Sequence, residues 1–276
     1  MKNVIASLVA VAGLSVAASA ASTLTMLVST NGVDFSNNVN LIPNSGIQRV
    51  EILTTVSNTG TAAIGLGSMQ FQPTVSNWRA TDALVPFTSS FGGNTTVPSG
   101  AVADAPGVYG RISPWAAAAN VSSSRLFGHV HNNPDGSGQT YLRIAQAQIT
   151  SWFGGTGNTT AGSGVNISQR SNVQRTTSDP AFNPSLTNVR VFRFAVDVDT
   201  NAGERVLAVE APMAGIGNRQ SDNSRMLYWY ADMTESAGSI REVPTINNAT
   251  ITVIPTPATM ALLGLGGLAV SRRRRA

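Results

Sequence analysis

Oxygen-bearing side chains recur at alternate positions in "DVDTNAGE", where Asp197, Asp199 and Asn201 are followed by Glu204. That spacing is the opening of a calcium loop, whose ligands come from every second residue. The rest of the loop is a poor fit. The glycine that such a loop needs for its sharp turn arrives one place late, at Gly203, and Ala208 stands where a distal glutamate belongs. The expectation is therefore a hairpin turning through "TNAG", with Asp197 and Asp199 on its solvent face and no metal bound.

The two histidines lie in "FGHVHNNPDGSGQ". His129 and His131 alternate, so a strand would set them on one face as half of a metal site. The nearest further ligand, Asp135, sits in the turn-forming "PDG", so the expectation is a hairpin strand with polar outward residues.

The run Tyr228-Trp229-Tyr230 could stack sugar rings. In a regular strand Tyr228 and Tyr230 share one face and Trp229 takes the other, so one of the two faces belongs to the core. No nucleophile elbow, phosphate loop or His-Glu-x-x-His motif is present. Gly65 and Gly67 lack the setting of a dinucleotide fingerprint. A glycosidase pair of carboxylates stays open, because its two acids can lie far apart in sequence. No catalytic residue and no cofactor are expected.

These residues need elements to hold them, and the elements read as strands. "TLTMLVS" puts Leu24, Met26 and Val28 on one face, and "VEILTTV" does the same with Val50, Ile52, Thr54 and Val56. "RVFRFAVDV" aligns Phe192, Phe194, Val196 and Val198, with Arg190 and Arg193 towards solvent. "RVLAVEA", "RMLYWYAD" and "ATITVI" continue the period of two. Glycine, asparagine, serine and proline clusters separate them, and the loops 87–106 and 153–184 are long enough to carry binding. The one helical candidate is "SPWAAAAN". Strands without intervening helices predict an all-β, jelly-roll-like sandwich with long loops, as a single domain over 21–253.

The composition is 42% hydrophobic and 12% charged, with no cysteine, which excludes a disulfide framework or thiolate site. The excess of base is confined to the ends. Lys2 and Arg272, Arg273, Arg274 and Arg275 are five of the 18 basic residues, and the remaining 13 face 14 acids between the ends. A body near −1 has no footprint for nucleic acid.

Residues 1–20 have the three parts of a secretory signal peptide. Lys2 is followed by an apolar helix-forming run and then by small residues at Ala18 and Ala20, which predict cleavage after Ala20 by signal peptidase. The other end, 254–276, reads "IPTPATMALLGLGGLAVSRRRRA". Pro255 and Pro257 hold the chain extended. Ala258 to Val270 make a short transmembrane helix of thirteen residues, against about 20 for a relaxed span. Arg272 to Arg275 then stop the segment on the cytoplasmic side. A permanent tail anchor is the plainer alternative.

This order of features resembles the PEP-CTERM sorting signal of exported bacterial proteins: a Pro-Glu-Pro motif, a short glycine-bearing helix and an arginine cluster. Here the motif is Pro255-Thr256-Pro257, with threonine in the middle position. The resemblance covers the tail alone. It implies export by the general secretion machinery, transient anchoring in the cytoplasmic membrane, recognition by an exosortase-type membrane protease, and delivery to the cell surface or extracellular matrix. It implies nothing of the body's chemistry. The expected role is non-enzymatic, structural or interactive, with exopolysaccharide among the partners it allows. The alternative is a secreted carbohydrate-binding or carbohydrate-active protein.

Overall fold

The computed structural model describes residues 22–60, 62–88, 102–115, 126–132, 140–146, 165–168, 183–211, 226–231 and 240–254. The signal peptide, the tail and the helical candidate's alanines lie outside them. Among the described residues every element is a strand except one 3-10 turn.

The first sheet is built on three long strands, β1 (Ser22–Ser29), β3 (Ile47–Asn58) and β11 (Val189–Asp199). They pair antiparallel in the order β1-β3-β11. Their register sets the predicted apolar faces side by side: Leu24 lies opposite Val56, Met26 opposite Thr54, Val28 opposite Ile52, and across the next seam Phe194 opposite Ile52 and Val196 opposite Val50. A strand places residues i and i+2 on one face, so one alternation shared by three strands makes a continuous apolar surface. All of these side chains are buried. Phe192 extends the surface, touching Phe71 edge-on at 5.8 Å between ring centroids.

A second sheet runs β2-β16-β12-β5-β9-β8. Its strands are β2 (Asn38–Leu41), β5 (Thr74–Val75), β8 (Leu126–Asn132), β9 (Thr140–Gln146), β12 (Arg205–Glu210) and β16 (Ala249–Val253). A third runs β10-β4-β13-β14, from β4 (Gly65–Phe71), β10 (Val165–Ser168), β13 (Met226–Tyr230) and β14 (Ile240–Glu242). Leu207, Val209, Ile251 and Val253 of the second sheet and Leu66, Met69, Phe71 and Leu227 of the third join the first sheet's apolar face in one hydrophobic cluster. The architecture is the predicted β-sandwich.

The first sheet is completed by β6 (Ala83–Leu84) and β7 (Gly110–Arg111), both on the free edge of β11, and by β15 (Thr245–Asn247), parallel to β1. A second parallel pairing joins β16 to β2. The arm β1–β2 thus passes from the first sheet to the second beside the arm β15–β16, which makes the same crossing.

The expected hairpin through "TNAG" is not formed. β11 belongs to the first sheet and β12 to the second, and neither pairs with the other. The residues between them, Thr200–Ala202, form the 3-10 turn. Buried Thr200 ties that turn to the first sheet, its amide donating to Gly46 O at 3.0 Å and its hydroxyl at 2.7 Å. Gly203 follows at φ +91°. Both strands carry an apolar face, and each face is buried from a different layer, so the chain turns a corner instead of folding back on itself.

Gly128 marks where the sandwich closes along one side. It lies on β8 of the second sheet, and a Cβ there would stand 2.4 Å from Leu84 Cδ2 of the first sheet and 3.0 Å from Leu142 Cδ1. Gly128→Val is expected to destabilise by about 1–3 kcal/mol, the usual cost of overpacking. Adding Leu84→Ala should recover part of that loss. Urea denaturation of the two variants checks it, and additive losses would contradict the contact.

Candidate functional site

The acidic stretch offered as a calcium loop is occupied by protein partners. Asp197 lies opposite Arg49 across the β3–β11 seam and accepts from its Nε at 2.8 Å and Nη2 at 3.0 Å. The carboxylate raises the Arg49 guanidinium above its ordinary range, with the hydrogen bond as the main cause. Asp199 caps the 3-10 turn, accepting from the Asn201 amide at 2.9 Å. Among the described residues no three histidine or acidic side chains gather as a metal set. The backbone of β8 sets His129 opposite Arg143 and His131 opposite Tyr141; the histidine side chains lie outside the described residues. So do Ala18, Ala20, Pro255, Thr256, Pro257, Asp135 and Arg272 to Arg275.

The aromatic run offers no platform for sugars. Trp229 and Tyr230 are both buried although adjacent, and Tyr228 is half-buried under the Arg241 guanidinium, 5.3 Å from its ring centroid. The run alternates as expected, Trp229 facing the core with Leu227 while Tyr230 is buried on the other face with Tyr228; the slip in register with β4 leaves the extra residue at Gly67 of that strand. The Trp229 indole donates to Ser22 Oγ at 2.8 Å, and that hydroxyl is in turn bonded to Glu242. Trp78 and Trp115 are buried as well.

The charged residues that do converge were not singled out by sequence. Glu51 sits in β3 within "VEILTTV", on the face opposite the core, and is itself buried. Its Oε2 accepts from Arg193 Nη1 at 2.8 Å. Its Oε1 accepts from the Gly107 amide at 2.9 Å and the Tyr109 hydroxyl at 3.2 Å. Arg193 Nη2 donates to Asp104 at 2.7 Å, and the other oxygen of Asp104 forms an ion pair with Arg190, 2.7 Å from its Nε. Both guanidinium groups lie over the Phe35 ring, 5.4 Å (Arg190) and 5.2 Å (Arg193) from its centroid.

Arg193 was expected towards solvent and is buried. The reason is what covers it: Arg193 lies opposite Leu53, on the face that carries Glu51, as regular alternation requires, and residues 31–36 and 102–115 pack over that face. Arg190 lies opposite Thr55 and Phe192 opposite Thr54, so Val191 is an extra residue in the ladder. In a regular strand Arg190 and Arg193 would point to opposite faces. The extra residue brings Arg190 to the face of Arg193 and Glu51. Gly32 is required there. Its φ is +71°, its carbonyl accepts from Arg193 Nη1 at 3.1 Å, and a Cβ would stand 2.8 Å from the Glu51 carboxylate.

Chemically this group is closed. Two arginines balance two carboxylates, and all four carboxylate oxygens are engaged. An acid–base pair needs a carboxyl group free to exchange a proton with substrate. What the cluster does is fasten residues 102–115, which begin within the predicted loop 87–106, onto the first sheet. Burial, then the charge of Glu51, pushes the Tyr109 phenol above its ordinary range. Burial lowers the Arg111 guanidinium beside it in the chain to about 10.

A second buried pair holds the corner after β11. Asp82 accepts from Arg205 Nη1 at 2.7 Å, from the Arg79 amide at 2.8 Å and from the Asp199 amide at 3.0 Å. Arg205 also donates to Asn77 O at 3.1 Å. The pair ties β12 of the second sheet to the end of β11 in the first, with both side chains at 1% exposure or less.

No protein-family model matches the chain, and no curated relative aligns with it. Solved structures of some similarity include cohesin domains. One belongs to the type I cohesin–dockerin complex Coh-OlpA-Doc918 from Clostridium thermocellum, at 9% identity over 84% of this chain and 99% of that chain, with a TM-score of 0.34. The sixth cohesin of Acetivibrio cellulolyticus scaffoldin B, in complex with Cel5 dockerin, gives 11%, 84%, 99% and 0.33. A non-cellulosomal cohesin from Archaeoglobus fulgidus gives 9%, 85%, 92% and 0.27. Similarity of that extent leaves partner and chemistry to be argued from this chain's own residues.

Two outcomes are expected. Asp82→Ala leaves Arg205 buried without its counter-ion and should cost about 3–5 kcal/mol in urea denaturation; a loss under about 1 kcal/mol, the size of a surface pair, would contradict the buried pairing. Tyr109 favours its neutral form in the fold. Its contribution to stability is therefore complete below the ordinary phenol range, about pH 10, and is lost as pH rises through the higher native value. Tyr109→Phe should remove a late-titrating phenolate from the absorbance titration and flatten the alkaline fall of Tm; an unchanged titration would refute the assignment.

Proposed function

We propose that this chain is an exported protein, held in the cytoplasmic membrane by its tail and released to the cell surface or matrix by an exosortase-type protease, with a non-enzymatic interaction role for its sandwich. The observation that carries the reading is the tail itself: Pro255-Thr256-Pro257, a short apolar run and Arg272 to Arg275, in that order and spacing.

The fold is compatible with both cuts. β1 starts at Ser22, one residue past Ala21, and is bonded on both sides, to β3 and β15. β16 ends at Val253, one residue before Ile254, and is likewise internal, between β2 and β12. Cleavage after Ala20 and within or beyond Pro255 removes no strand from either sheet. The interaction role is supported by what the acidic residues do: Glu51, Asp82, Asp104 and Asp197 hold strands and covering segments together through arginines.

Fractionation with an antibody to the body and an epitope tag after Ala276 tests the sorting. The wild-type surface form is expected to begin at Ala21 and to lack the tag. Replacing Arg272 to Arg275 with neutral residues should leave uncut precursor or release unprocessed protein. Pro255→Ala with Pro257→Ala should insert but stay uncut. An arginine-free variant cut and sorted like wild type would overturn the reading, and specific binding of the mature protein on a glycan array would move its role to carbohydrate recognition.

A further inference from the structure

The outer face of the second sheet ends in aliphatic side chains that the core does not use. Val206 of β12 lies opposite Thr252 of β16, and Thr252 opposite Asn40 of β2. One step further along these two strands, the Ile254 amide donates to Leu41 O, which sets Ile254 next to Ile42. Ile42 is 55% exposed, Val206 52% and Ile254 41%. Ile47, 66% exposed, stands at the same end across the turn of residues 42–46. Among the described residues the exposed side chains of β2 on this face are neutral amides, Asn38 and Asn40. Charged groups stand beside the edge: Glu204 and Arg79 at the turn, opposite in sign, and Asp199, which lies opposite Ile47 across the β3–β11 seam.

The position of this edge decides what can cover it. Ile254 is followed by Pro255, Thr256 and Pro257, and the apolar run starts at Ala258. Four Cα–Cα steps span at most about 14 Å even when fully extended. A body whose tail is inserted therefore keeps this end within a headgroup layer's depth of the hydrocarbon. Exposed aliphatic groups held there partition into the boundary between headgroups and acyl chains. Three or four side chains would not hold a protein on a bilayer by themselves; the short tether raises their effective concentration at the surface.

We infer that Ile42, Val206 and Ile254, with Ile47 beside them, form a membrane-facing edge that rests on the outer leaflet while the tail is inserted. This rests on the proposed membrane insertion of the tail. The contact orients the body with its β2–β16–β12 end down and keeps the proline motif close to the bilayer surface.

The chain has no cysteine, so Val206→Cys and Asn248→Cys each create a unique labelling site. Asn248 is exposed at the other end of β16, about 13 Å along the strand from Thr252, the residue opposite Val206. Each full-length chain, carrying an environment-sensitive fluorophore, is reconstituted into phosphatidylcholine–phosphatidylglycerol vesicles containing lipid with a nitroxide near the headgroup. Quenching is expected to be several-fold greater at position 206 than at 248. It should fall towards the 248 value when Ile42→Ser and Ile254→Ser are added. Equal quenching at the two sites, with the protein still sedimenting with vesicles after a carbonate wash, would overturn the membrane-facing edge and leave the anchor intact. Quenching at 206 unaffected by the serines would overturn it too, since the tether alone would then explain the proximity. A blue shift at 206 without nitroxide quenching would assign the patch to a second copy of the chain instead. Loss of sedimentation would overturn the anchor, and the inference with it.

Discussion

A carboxylate in the middle of β3 must be neutralised where it stands, because both faces of that strand are covered. One face carries Val50, Ile52 and Val56 into the core. The other carries Glu51, and desolvation of an unpaired charge there would cost several kcal/mol. Arg193 meets it from the neighbouring strand on the face that regular alternation gives both, and the bulge at Val191 brings Arg190 to the same face. The covering segments follow from the same demand: Gly107, Tyr109 and Asp104 complete the hydrogen bonding of the pair, and Gly32 allows the chain to pass close over it. A polar requirement at one position thus accounts for a glycine and the path of residues 102–115.

The arrangement also alters what the composition means. The body's arginines nearly balance its acids, yet Arg111, Arg143, Arg193 and Arg205 are all buried. Arg193 and Arg205 are spent on internal ion pairs. These arginines act as multi-donor braces between strands and segments, a use that suits a planar guanidinium with five donors.

Alternation in the sequence was enough to identify the core faces of β1, β3 and β11, because a strand buried on one face repeats every second residue. It was not enough to say which strand pairs with which. "DVDTNAGE" has the local chemistry of a tight turn, and the chain does turn there. Nothing local distinguishes a return within one sheet from a corner into another, since the deciding contacts are made by Gly46, Asp82 and Asn77, far away in sequence. The bulges at Val191 and at Gly67 escaped for a related reason. A bulge adds one residue to one strand relative to its partner, so it is a property of the pair. The first moved Arg190 to the face of Glu51, and the second set Leu66 and Met69 on one face of β4. The signals available in hindsight are a glutamate inside "VEILTTV" and an arginine inside "RVFRFAVDV", charges in runs otherwise too apolar to face water.

The two parallel pairings tie the beginning of the body to its end. Among the described strands, β1 has β15 on one side, and β2 has β16 as its partner in the second sheet. Thr23 waits for Thr245, and Asn38 for Thr250. Contacts of such separation form slowly, because the loop between them must be closed before they reward it. A chain delivered from its N-terminus therefore cannot complete the first or the second sheet until nearly all of the body has been delivered. Under the export proposed above, topology would keep the body threadable for the length of its passage, and the arrival of the final strand would close the sandwich.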